Sequence, residues 1–231
     1  MIRVAVLLAA GEGSRLRGAA PFKPLCPVGG RALIDHALDG LAAAGIGRAV
    51  VVTGYGAEAV EAHLARRPRP PEVQVVRVGD WRLPNGVSAL AARALLDGAP
   101  ALLAMCDHLV APALYRRVAE GGPGLGLKLG IDRRLGHRCV DPGDVTRVMT
   151  AGDRIVAIGK GLEPHDAYDT GVFAVSEPLF EALATEETPS LTHGVRALAN
   201  RGRAHAVDCS DLDWIDVDDP AALAEAERLR A

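Results

Sequence analysis

Val4-Ala5-Val6-Leu7-Leu8-Ala9-Ala10-Gly11-Glu12-Gly13-Ser14-Arg15-Leu16-Arg17-Gly18 is the stretch on which the reading of this chain turns. The apolar run Val4–Ala9 is short, rich in Val and Leu, and ends at a glycine. That pattern predicts a central parallel strand buried on both faces. The glycines that follow let a backbone approach a phosphate closely and aim N–H groups at it. Arg15 and Arg17 add charge-assisted donors, with Lys23 a few residues on, so the loop reads as a phosphate cradle.

Two familiar phosphate loops do not fit the spacing. The dinucleotide fingerprint G-x-G-x-x-G would need glycine at Leu16, and the second strand ends in Thr53-Gly54 and not in an acidic residue. A Walker loop needs Gly-Lys-Ser/Thr, whereas Gly18 is followed by Ala19-Ala20.

Outward from this loop, strand and helix patterns alternate. Helices are expected over Arg31–Ala44, Ala57–Arg67, Gly86–Leu96 and Pro112–Ala119, with strands over Ala49–Thr53, Val73–Val78 and Ala101–Met105. Beyond Gly121, β-type runs appear at 125–130, 145–150, 155–159 and 171–175. Helices Pro178–Ala184 and Leu191–Asn200 follow, then strands Ala204–Val207 and Trp214–Val217 and a last helix after Asp219-Pro220. The fold class is therefore α/β: a Rossmann-like, mostly parallel mixed sheet with helices on both faces. No repeat or interdomain linker interrupts it, so residues 1–231 are expected to form a single domain.

Composition removes several functions. With 26 Lys+Arg against 29 Asp+Glu, the net charge of −3 argues against a nucleic-acid or anionic-membrane surface. Aromatic residues make up 3%, too few for a base-stacking platform. Cys26, Cys106, Cys139 and Cys209 form no C-x-x-C pair, which counts against a zinc ribbon or dithiol site. No apolar run approaches the ~18 residues of a bilayer span, and the N-terminus has no charged export region. A cytoplasmic protein without membrane insertion is expected.

Two downstream positions carry chemistry on residue type alone. Pro84-Asn85-Gly86-Val87-Ser88 precedes a helix, where Asn85 offers both a donor and an acceptor and the helix N-terminus offers free N–H groups. Asp107 lies just past the buried strand Ala101–Met105, where open α/β sheets bind ligands, and a hard carboxylate there suits Mg²⁺ beside phosphates. Of the histidines, only His108 is a site candidate.

Leu8-Ala9-Ala10-Gly11-Glu12-Gly13-Ser14-Arg15-Leu16, followed by Lys23-Pro24-Leu25, resembles the L-A-A-G-x-G-x-R-L…K-P-L signature of the nucleotidyltransferases that make NDP-sugars and CDP-alcohols. The short insert between the halves is similar to the CTP:inositol-1-phosphate cytidylyltransferase branch. The resemblance implies the nucleotide-diphospho-sugar transferase type of fold. It also implies that residues Leu8, Ala9, Ala10, Gly11 and Gly13 bind the nucleotide, while Arg15 and Lys23 stabilise charge on the triphosphate. Asn85, Gly86 and Ser88 resemble the G-N-G-x-S turn beside the nucleobase. Met105-Cys106-Asp107-His108 resembles the family's Gly-Asp-His, with Cys106 in place of Gly. Trp214-Ile215-Asp216 resembles its W-x-D, so the resemblance makes Asp107 and Asp216 the Mg²⁺ ligands, and Asp218 and Asp219 are left to charge the start of the last helix. Lys160 resembles the lysine that contacts the acceptor phosphate, and Asp169-Thr170-Gly171 resembles the D-T-G segment near the acceptor's hydroxyls.

The reaction implied joins CTP to a phosphorylated polyol, best matched by inositol 1-phosphate, and releases pyrophosphate. Two alternatives stand beside it: a sugar-1-phosphate or phosphocholine enzyme using another NTP, and a non-catalytic nucleotide-binding domain.

Overall fold

The computed structural model describes residues 1–68 and 70–229. The chain opens with β1 (Val4–Ala9), then a small hairpin of β2 (Pro27–Val28) and β3 (Arg31–Ala32). Next come α1 (Leu33–Ala43), β4 (Arg48–Thr53), α2 (Ala57–Ala65), β5 (Glu72–Arg77), α3 (Asn85–Leu96) and β6 (Ala101–Met105). The second half holds β7 (His108–Val110), α4 (Pro112–Gly121), β8 (Leu127–Asp132), β9 (Thr146–Ala151), β10 (Arg154–Lys160) and β11 (Ala167–Val175). It ends with α5 (Glu177–Leu183), α6 (Leu191–Ala199), β12 (Ala204–Asp208), β13 (Trp214–Asp216) and α7 (Pro220–Arg228).

Nine strands form one sheet in the order β5-β4-β1-β6-β11-β8-β12-β10-β9. β5, β4, β1 and β6 run parallel, in the order that puts β1 beside β6 at the point where the winding reverses. From β11 onward the sheet is mixed: β11 is antiparallel to both β6 and β8, while β8 and β12 are parallel.

Alternation along β1 explains why its run is apolar throughout. Ala5, Leu7 and Ala9 enter the core on one face with Leu38 of α1 and Leu114 of α4. Val6 and Leu8 enter the other core with Ala92 of α3 and Phe180 of α5. Each fully buried Leu or Ile contributes about 1.5–3 kcal/mol, so both layers hold β1 fast. A third cluster (Leu16, Val28, Leu109, Val217, Ala226) lies under the glycine loop and anchors it through Leu16.

Two local expectations change. The helix read over Arg31–Ala44 begins at Leu33, because Gly29 and Gly30 both take positive φ (57° and 73°) and close a two-residue hairpin that draws Arg31–Ala32 into a strand. β7 went unread, since three residues carry no periodicity. It pairs with β13, so Trp214–Asp216 belongs to a separate two-stranded ribbon and not to the main sheet. Among the described residues, no helix is long and apolar enough to cross a membrane.

Candidate active site

The parallel strands bring two chain ends together. Leu8 pairs with Met105 across β1 and β6, and the Cys106 N–H donates to the Leu8 carbonyl at 3.0 Å. The glycine loop and Asp107 therefore leave the sheet side by side, at the carboxyl ends of neighbouring strands. Cys106 lies outside the left-handed region, so a cysteine is accommodated here without backbone strain. Burial pushes its thiol well above the ordinary range, which keeps it neutral.

Gly13 has φ +60°, and a Cβ there would come within 2.3 Å of Lys23 Cβ. Glycine is thus required twice, for the turn and for the passage of the lysine stem beneath it. Lys23 is 6% exposed and lies between Asp107 Oδ2, at 2.6 Å from its Nζ, and Asp218. Burial pulls its ammonium down, but Asp107 and Asp216 outweigh that and hold it above its ordinary value. In turn, burial raises Asp107 while Lys23 and His108 hold it below the usual carboxylate range. A cavity of about 330 Å³ opens here, lined by Leu8, Ala9, Gly11, Gly13, Arg15 and Lys23 among others. A Cβ on Gly11 would meet no atom within 4 Å.

The β7–β13 ribbon sets the opposite wall. His108 pairs in register with Asp216, and the Val217 N–H donates to the Asp107 carbonyl at 3.0 Å. Three neighbours fix the His108 ring. Its Nδ1 bonds the Thr170 carbonyl at 2.9 Å, its face stacks on Trp214 with centroids 5.9 Å apart, and Gly171 (φ +76°) leaves space where a Cβ would lie 2.5 Å from Nδ1. Its Nε2 is 3.4 Å from Asp216 Oδ2. Burial lowers the imidazole's pKa, yet Asp216 and Asp107 raise it to about 9. Behind this wall, Trp214 Nε1 donates to the fully buried Asp132 at 2.9 Å, and Arg134 bonds the same carboxylate.

Asp107, His108 and Asp216 each offer one ligand atom, all within 4.8 Å of one another. Asp216 Oδ1 is buried and has no hydrogen-bond partner among the described residues. A buried carboxylate oxygen is costly to leave unpaired, so this atom needs a cation or a donor from outside the chain.

A second cavity, of about 570 Å³, adjoins the first and shares Arg15, Asp107 and Asp218 with it. Ile158, Phe173 and Val195 give it apolar walls, while Asp144, Lys160 and Asp169 supply charge. Asp169 Oδ1 accepts the Gly171 N–H at 2.7 Å, and burial pushes its carboxyl up to about 6. Arg15 reaches Asp144 at 2.6 Å and Asp218 at 2.5 Å, and Lys160 pairs with Asp144. The ions alternate in sign from Lys160 through Asp144, Arg15, Asp218 and Lys23 to Asp107.

Comparison with known proteins accords with this geometry. Residues 5–140 match the model of the MobA-like NTP transferase domain. The bifunctional IPC transferase and DIPP synthase of Rubrobacter xylanophilus is 37% identical over 97% of this chain and 51% of its own length. The chain belongs to the NTP transferase family. The Aquifex aeolicus protein of the same name is 30% identical over 99% of this chain and 52% of its length. The chain thus spans about half the length of the curated relatives it matches. Among solved structures, the inositol-1-phosphate CTP transferase from T. maritima superposes with a TM-score of 0.89 at 26% identity, covering 99% of this chain and 95% of that one. UDP-glucose pyrophosphorylase complexed with UDP-glucose superposes at 0.82 with 17% identity, covering 99% and 98%, a likeness of fold alone.

Most of the residues singled out by motif converge. Leu8, Ala9, Gly11, Gly13 and Lys23 line the smaller cavity, Arg15 and Asp107 line both, and Lys160, Asp169 and Asp216 line the larger. Ala10 is buried in the core beside them. Others stand elsewhere. Asn85 lines the larger cavity, not the one under the glycine loop, and its Oδ1 accepts the Leu191 N–H at 2.9 Å. Gly86 lies against Pro189, whose carbonyl oxygen would be 2.4 Å from an added Cβ, and Ser88 is buried; neither lines either of these two cavities. Thr170 is fully buried with its hydroxyl donating to the Gly130 carbonyl at 2.7 Å, so its backbone faces the site and its side chain does not. Arg17 turns away to Glu12 and Tyr55.

Asp218 and Asp144 are the residues motif reasoning missed. Of the two acids expected to charge the last helix, Asp219 caps it, accepting the Ala222 N–H at 2.8 Å, while Asp218 pairs with Lys23 and Arg15. The signal was present: in extended chain Asp216 and Asp218 share a side, with the buried Val217 on the other.

Proposed function

We propose that this family member is a cytidylyltransferase joining CTP to a phosphorylated polyol, with inositol 1-phosphate as the acceptor, and that residues 1–231 act as a single catalytic domain. The observation that carries the reading is the pair of adjoining cavities meeting at Asp107: one under a glycine loop, the other bearing Lys160 and Asp169. The name of the T. maritima structure supplies the substrate pair. The reading keeps the reaction in the cytoplasm, where nucleoside triphosphates are made.

Chemistry at such a site is positioning and charge neutralisation. An acceptor phosphate oxygen, already ionised, attacks the α-phosphorus of CTP. The new P–O bond forms as the α–β bridging bond breaks, and pyrophosphate carries away the electron pair. No side-chain nucleophile or base is required. Arg15 and Lys23 hold the triphosphate, Lys160 holds the acceptor phosphate, and Asp169 accepts hydrogen bonds from the polyol. Asp107 and Asp216 are the residues that would hold Mg²⁺; their hard oxygens and the unpartnered Asp216 Oδ1 suit it. When bound, the ion supplies charge neutralisation between the donor and acceptor phosphates.

Pyrophosphate release, assayed for each of the four NTPs with inositol 1-phosphate, glucose 1-phosphate and phosphocholine, tests the reading. CTP with inositol 1-phosphate is expected to give the highest kcat/KM. Preference for another pair would reassign the substrate, and no release with any pair would leave a non-catalytic domain.

A further inference from the structure

Asp141-Pro142-Gly143-Asp144 has the composition of a tight turn, with Pro presetting φ and Gly at the sharpest bend. The structure closes it accordingly. The Gly143 N–H donates to Asp141 Oδ1 at 2.8 Å, and the Val145 N–H donates to the Asp141 carbonyl at 3.0 Å. The turn leads directly into β9 and presents Asp144 to two cations at once. Its Oδ2 lies 2.6 Å from Arg15 Nη2, and its Oδ1 pairs with Lys160 Nζ. Hydrogen bonds from Lys160 and Arg15 hold the carboxyl below its ordinary range, so it is ionised wherever the enzyme works. Arg15 lines both cavities, whereas Lys160 lines only the larger.

We propose that Asp144 is a positioning residue that stands in for substrate phosphate and couples the two subsites: one carboxylate neutralises a cation of each, so filling either subsite frees the other. This rests on the reading of Arg15 as a donor-side and Lys160 as an acceptor-side phosphate ligand. A triphosphate at Arg15 displaces one oxygen of Asp144 and repels the carboxylate, which weakens its hold on Lys160. The acceptor phosphate then meets a lysine already released. By linkage the acceptor tightens the nucleotide by the same factor. Asp218 differs in kind: its two partners, Arg15 and Lys23, face one substrate, so it has no second subsite to couple.

The test is calorimetric, in Mg²⁺ buffer, on the wild type and Asp144→Asn. One pair of probes is the uncleavable α,β-methylene CTP with and without inositol 1-phosphate. The other, needing neither base nor polyol, is inorganic pyrophosphate with and without inorganic phosphate. In the wild type each ligand is expected to tighten its partner about fivefold, the low end for coupled sites because Arg15 and Lys160 are both exposed. In Asp144→Asn each ligand alone binds tighter than in the wild type, and the coupling factor falls to about one. Absence of coupling in both wild-type pairs, or full wild-type coupling in Asp144→Asn, would overturn the proposal. Coupling in the pyrophosphate–phosphate pair alone would sustain it while overturning the CTP and inositol phosphate assignment.

Discussion

The two cavities are built in opposite ways. The smaller is made mostly by one loop: the stretch from Leu8 to Pro24 wraps it, and the rest comes from Cys106, Asp107 and Asp218. The larger is assembled from several elements, among them β10, β11, α6, α7 and the segment before β9. A cavity made by a loop is fixed once the strand beneath it is buried, as β1 is on both faces. A cavity made by side chains from several elements depends on pairings far apart in sequence, and it can vary its lining without disturbing the sheet. The first suits a part common to all nucleotides, the second a part that differs between acceptors.

If that division holds, charges that line the smaller cavity act on turnover and those that line only the larger act on acceptor binding. Lys23→Ala and Asp107→Ala are expected to show the largest effects. Each removes a preorganised charge worth about 3–4 kcal/mol in the transition state, or 10²–10³ in kcat. Pyrophosphate release measures it, with circular dichroism confirming a retained fold. Turnover within tenfold of the wild type in either variant would break the comparison at its strongest point.

Lys160→Ala is expected to raise the acceptor KM about tenfold and, through the lost coupling, the CTP KM by no more than about fivefold, as for the loss of one charge-assisted bond at an exposed side chain. A matching rise in the CTP KM would mean that Lys160 serves both substrates.

The same division explains what could be read from the sequence. The glycine loop, Lys23 and Asp107 sit on or beside apolar strands whose bounds the pattern marked at Val4–Ala9 and Ala101–Met105, and the structure keeps both. Charge at a strand end needs no tertiary information to be noticed. Asp144 was illegible as a site residue because its partner Arg15 is 129 residues away, and a turn motif states a bend but not what the bend faces. Gly86 and Ser88 carried a motif, yet they face Pro189 and the core, since the first turn of α3 presents only Asn85 to the cavity. His108–Val110 was too short for periodicity and became a strand only through pairing with Trp214–Asp216.

Gly13→Ala probes the loop without touching a charge. An alanine must take φ near +60° and clear the Lys23 stem, so a loss of about 1–2 kcal/mol in unfolding free energy is expected. The CTP KM should rise with it, because Lys23 must shift. Urea unfolding and initial rates measure the two effects. An unchanged CTP KM would mean that the loop tolerates a displaced lysine.

Asp169→Asn is the mildest change, and its sign is fixed by the direction of the carboxyl's shift. Burial holds Asp169 at about 6 in the folded chain against an ordinary value of 3.8, with His108 and Asp216 the charged groups facing it. The folded state therefore keeps this proton between pH 4 and 6 while the unfolded chain loses it, and wild-type stability falls across that window. Asparagine stays neutral and can still accept the Gly171 N–H. The variant should match the wild type at pH 3.5 and exceed it by about 1–2 kcal/mol at pH 8, less than full burial would give because the cavity admits solvent. Urea unfolding at the two pH values measures this. A gain at pH 8 accompanied by a higher acceptor KM would mark Asp169 as a carboxylate kept in the larger cavity for binding at the expense of the fold, whereas equal stability at both pH values would show that the carboxyl titrates normally.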